Sequence, residues 1–111
     1  MIDPGVDDPD DLRYDLEEDG RLVRRELARA CWRAGGWATL AIRYAELDPA
    51  SDEWRAPRAV LLRLRKLRGR WRVHASVPLP GPVAHSLAAS LSAWFPSEPD
   101  DDEPERDDDA P

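Results

Sequence analysis

Apolar residues recur along this chain with two different periods. In residues 21–34, Val23, Leu27, Ala30, Cys31 and Ala34 fall at spacings of four, three, one and three, which predicts a helix with one apolar stripe. Arg21, Arg24, Arg25, Arg29 and Arg33 lie on its flanks and back. Gly35-Gly36 would end it, because glycine adopts the left-handed conformation of a helix C-terminus without strain. Residues 37–46 then alternate. Ala38, Leu40, Ile42 and Tyr44 share one face, and Trp37, Thr39, Ala41, Arg43 and Ala45 share the other, as in a strand. Residues 48–57 read as a ten-residue loop.

Residues 58–67 and 70–77 alternate again around Arg68-Gly69, a spacing that signals a tight hairpin. Val60, Leu62 and Leu64 are expected on an apolar face with Trp71, Val73, Ala75 and Val77. Arg63, Arg65, Arg70, Arg72, His74 and Ser76 occupy the opposite one, with Leu61 and Leu67 as exceptions. Pro82 suits the first turn of a second helix, where its missing N–H costs nothing. Val83, Ala84, Leu87, Ala88, Leu91, Trp94 and Phe95 form its stripe, and Pro96 stops it.

These elements predict an α+β fold of order α-β-β-β-α, a three-stranded antiparallel sheet with both helices on one face and disordered acidic termini. The domain is expected over residues 19–96, with a mostly disordered N-terminal segment 1–18 and a disordered C-terminal tail 97–111. One stretch has two readings. Leu12, Tyr14 and Leu16 alternate with polar residues, so Asp19-Gly20 fits a hairpin turn. It also fits a helix N-cap at Asp19, and the longer helical pattern that follows favours the cap.

Charge changes this picture more than composition does. The 111-residue chain has a formal net charge of −7, but the charges are segregated. Residues 1–19 hold nine acids and one base, and so do residues 96–111, giving −8 at each end. Residues 20–95 hold fourteen bases and five acids, giving +9. With both helices on one face, the other face would carry Trp37, Thr39, Arg43, Arg63, Arg65, Arg70, Arg72 and His74. Arginine pairs with phosphate and tryptophan stacks bases, so this face is expected to bind a polyanion, foremost a single-stranded nucleic acid. The plainer alternative is a solvated polar sheet face, in a chain where fifteen of sixteen bases are Arg for reasons of codon usage.

Signs of catalysis are missing. His74 and His85 lack carboxylate partners at informative spacing, and no nucleophile-elbow pattern occurs. Cys31, the one cysteine, excludes an intrachain disulfide and sits on an apolar stripe. One Cys and two His provide no zinc spacing, and the Asp triplets 100–102 and 107–109 lack the glycine and glutamate of a calcium loop. No cofactor or metal is expected. The element order is that of double-stranded-RNA-binding domains, but the second helix opens on Pro82-Val83-Ala84-His85-Ser86 instead of a lysine-rich turn, so that function is not implied.

The expectation is a small, cytoplasmic, non-catalytic binding module whose ligand face is Trp37, Arg43, Arg63, Arg65, Arg70, Arg72 and His74. The acidic tails would modulate it. The alternative is a protein-interaction module whose contact is Trp54 in the long loop, a sheet edge or the acidic tails, and an acidic protein is the other partner expected for the Arg face. The free edges of a three-stranded sheet leave room for a homodimer. No membrane partner is expected.

Overall fold

Three two-residue turns set the topology of this computed structural model, which describes residues 5–97. Asp19-Gly20 (φ 54° and 75°) and Arg68-Gly69 (φ 54° and 77°) both have positive φ at both positions. That geometry matches the right-handed twist of paired strands. Gly35, at φ 63°, opens the third turn. They join β1 (Leu16–Glu18) to β2 (Arg21–Ala34), β2 to β3 (Trp37–Asp48), and β5 (Arg58–Leu67) to β6 (Arg70–Leu79). Between β3 and β5, the short β4 (Glu53–Trp54) folds back on the end of β3, pairing Leu47 with Trp54. All pairings are antiparallel, in the order β1-β2-β3-β5-β6. One helix, α1 (Gly81–Trp94), follows β6.

This corrects the expected α-β-β-β-α fold. The sheet has six strands rather than three, and there is one helix among the described residues rather than two. The error lies in residues 21–34, which form β2. Their sequence satisfies two periods at once: Ala28, Ala30, Trp32 and Ala34 alternate with Arg29, Cys31 and Arg33. Pairing with β3 from Arg24↔Glu46 to Ala34↔Trp37, with Leu27 bulged, and with β1 at Arg21 and Leu22 engages most of the stretch, and tertiary context overrides helix propensity. Gly35-Gly36 is therefore a hairpin turn, and Asp19 belongs to a turn rather than a cap.

The core lies on one face of the sheet. Ala38, Leu40, Ile42 and Tyr44 from β3 meet Val60, Leu62 and Leu64 from β5 and Trp71 from β6, and all are buried. No helix covers them, contrary to expectation. The cover is the segment before β1, which the acid content had marked as mostly disordered. Its described part runs across the sheet as a strap: Val6, Leu12 and Tyr14 pack on the core, and Pro9 is fully buried at the start of a 3-10 turn, Pro9–Asp11. Val6 exchanges two backbone hydrogen bonds with Trp71 (2.9 and 2.8 Å), which blunts the free edge of β6. Gly5 makes this approach feasible: at φ 81°, a Cβ there would stand 2.7 Å from the Trp71 carbonyl oxygen.

A second correction concerns β6. The register passes from Leu64↔Val73 to Arg63↔Ala75, so His74 is an extra, bulged residue. Ala75 and Val77 are thereby turned to the face opposite Trp71, beside Arg63 and Leu61. Helix α1 has no fully buried residue and packs against its own sheet mainly at β5 and β6. No helix among the described residues is long and apolar enough to cross a membrane. The tail expected at 97–111 lies outside the described residues apart from Ser97.

Candidate functional site

No described layer covers the face opposite the core, and strand register orders it into four cross-strand rows. Ala34, Trp37, Arg65 and Arg72 form the first, and Trp32, Thr39, Arg63 and Ala75 the second. Ala30, Ala41, Leu61 and Val77 form the third, and Ala28, Arg43, Ala59 and Leu79 the fourth. Aromatic and cationic side chains thus gather at one end of the face and small apolar ones at the other.

Trp37 is the centre of the cationic end. The Arg63 and Arg65 guanidiniums lie 4.7 and 5.2 Å from its ring centroid, and His74 meets it edge-on at 5.1 Å. Each guanidinium is held against the ring quadrupole, which restrains a long side chain. Arg63 Nη1 also donates to Thr39 Oγ1 at 3.0 Å. Trp32, in the neighbouring row, is 60% exposed and presents a free aromatic surface. The Nε of Arg72 is buried without a hydrogen-bond partner among the described residues.

The acidic strap sorts the arginines into two sets. On the core side, Arg33 Nη2 donates to Asp8 Oδ1 at 2.6 Å and lies 3.6 Å from Asp10. Arg29 grips Glu26 and donates to the Leu12 carbonyl, and Arg24 Nε donates to the Tyr14 carbonyl at 2.8 Å. Arg70, at the sheet edge, donates to Asp7 Oδ1 at 2.6 Å and to the Gly5 carbonyl at 2.8 Å. Arg21 and Arg55 pair with Asp52 and Asp48. On the open face, Arg43, Arg63, Arg65 and Arg72 have no carboxylate partner among the described residues.

Titration follows the same geometry. The Asp10 backbone N–H (2.9 Å) and then Arg33 favour the ionised Asp8 carboxyl and hold it below its ordinary range. Hydrogen bonding to Glu26 raises Arg29, and burial raises the Tyr14 hydroxyl. The Ala50 backbone N–H lowers Asp48.

The residues expected to bind ligand do not all meet. Trp37, Arg43, Arg63, Arg65 and Arg72 share the open face, with His74 beside Trp37. Arg70 is engaged by the strap instead. Trp54, expected as a partner anchor, pairs through β4 with β3, and the Arg25 guanidinium lies 4.4 Å from its ring centroid. Reasoning from sequence missed Trp32 because it placed residue 32 in a helix. The alternation Ala28, Ala30, Trp32, Ala34 was the signal that could have found it. Cys31 is half-buried against the core, and among the described residues no group of three or more His, Cys, Asp or Glu is placed to hold a metal ion. No protein-family model, curated protein or solved structure matches this chain.

Proposed function

We propose that this protein is a non-catalytic module that binds a polyanion, foremost a single-stranded nucleic acid, on the Trp32, Trp37, Arg63, Arg65 and Arg72 end of its open face. One observation carries the reading: these three arginines lack carboxylate partners among the described residues, beside two tryptophans, while the strap's acids are engaged elsewhere. A guanidinium restrained on Trp37 is oriented before a phosphate arrives, so less side-chain freedom is lost on binding. Trp32 supplies the stacking platform, since every base has a π-face and stacking tolerates any sequence.

The test is binding of a fluorescent oligothymidylate at low salt. Replacing both Arg63 and Arg65 by Ala is expected to weaken binding at least tenfold, with thermal stability nearly unchanged. Trp32→Ala is expected to cost about 1–3 kcal/mol of binding free energy. A chain lacking residues 97–111 that fails to bind at low salt overturns the proposal.

A further inference from the structure

Among the described residues, two surfaces lack a covering layer, and they match. Helix α1 buries none of its residues, yet Val83, Leu87, Leu91 and Trp94 form one stripe along it. Val83, Leu91, Trp94 and the following Phe95 are 49, 43, 68 and 75% exposed. The third and fourth rows of the open face are apolar apart from Arg43, and small side chains dominate them. Ala28, Ala30, Ala41 and Ala59 line a shallow hollow of about 270 Å³ there, with Arg43 at its side.

We propose that a second copy of this chain completes the missing layer, α1 of each copy packing on the alanine rows of the other's open face. Three arguments favour a second copy. First, a sheet buries its apolar surface stably when another layer covers it, and the described chain is flat, measuring 50 × 37 × 19 Å. Second, large residues on the helix oppose small ones on the sheet, and one chain carries both, as a two-fold exchange requires. A 14-residue helix is about 21 Å long. Four strands span about 14 Å, so the helix covers the row across all of them. Its footprint removes on the order of 400 Å² from each surface, and exchange of two helices reaches the roughly 1,600 Å² of a standard interface. Third, the candidate occupants in cis are poor. Pro80 is the single residue between β6 and α1, and with Pro82 it restricts the direction in which the helix leaves its own sheet. The sequence 97–111 has no large apolar side chain to offer the alanine rows.

The experiment is the solution mass of the full chain, after nuclease treatment and in high salt, so that nucleic acid plays no part. Twice the chain mass is expected. Leu91→Glu and Ala30→Glu change residues exposed on the single chain, so each variant is expected to keep its circular dichroism spectrum and to dimerise at least tenfold more weakly. Mixing the two variants restores one intact helix–face contact, and the mixture is expected to associate more tightly than either variant alone. A monomer at about 100 μM, where an interface of this size is well populated, overturns the proposal. So does a dimer indifferent to both substitutions, or one broken by Leu91→Glu alone, which would be helix paired with helix.

Discussion

Single residues in strained or unusual positions decide much of this molecule. Arg68 holds the left-handed φ of 54° at the tip of the β5–β6 hairpin, a conformation that costs most L-residues roughly 1–2 kcal/mol and asparagine less. Arg68→Asn is therefore expected to stabilise the protein by about 0.5–1 kcal/mol, read as a higher urea midpoint with an unchanged slope. An unchanged or lower midpoint would show that the Arg68 side chain makes up for its backbone elsewhere. His74 has a larger structural effect than its chemistry suggested. As the bulged residue it turns Ala75 and Val77 away from the core and leans on Trp37, so one extra residue redistributes a strand between two faces.

The strap covers the core face of the sheet. Its apolar residues cover Leu40, Ile42 and Leu64, while its acids pair with Arg33 and Arg70. Asp8 links these two roles to pH. Its carboxyl is held below the ordinary value near 3.8, first by the Asp10 backbone N–H and then by Arg33. A depressed carboxyl contributes stability that is complete above its unfolded value and lost as pH falls through the lower, folded one. Asp48 contributes with the same sign at the β3–β4 turn. Hydrogen-exchange protection of the Val6 amide, which bonds to Trp71, is thus expected to be flat near neutrality and to fall in acid below about pH 3.8. Asp8→Asn should lower it at neutral pH and blunt the acid step. Equal protection down to about pH 2 would remove Asp8 from this role.

At the scale of the whole molecule, charge segregation matters more than net charge. The tail 97–111 carries nine acids and one base, and it is tethered to a chain whose open face has arginines with no carboxylate partner among the described residues. Tethering gives it a high effective concentration against any polyanion on that face. Deleting residues 97–111 is expected to raise oligothymidylate affinity and to steepen its decline with salt, since more counterions are released when no tail already neutralises the arginines. The readout is the slope of log affinity against log salt for both chains. Equal slopes and affinities would mean that the tail stays clear of the face.

What could be read from sequence was local. The alternation of residues 37–46 and 58–67, the Arg68-Gly69 turn and the stripe of α1 each express a period or a turn preference complete within about ten residues. Four of the face residues, Trp37, Arg63, Arg65 and Arg72, follow from such alternation alone. Other features required partners distant in the chain. Residues 21–34, rich in Ala and Arg, satisfy a helical and an alternating pattern together, and the backbone hydrogen bonds of β3 made them a strand. That choice placed Trp32 on the open face and removed the expected first helix. An acidic, proline-containing stretch offers too little apolar surface to order itself. Val6, Pro9, Leu12 and Tyr14 were placed by a core that other strands had built. The sequence by itself determined where the charges are and that residues 37–46 and 58–67 extend. The tertiary structure decided which arginines meet an acid among the described residues, because an ion pair depends on distance in space, and Asp7 reaches Arg70 across 63 positions of chain.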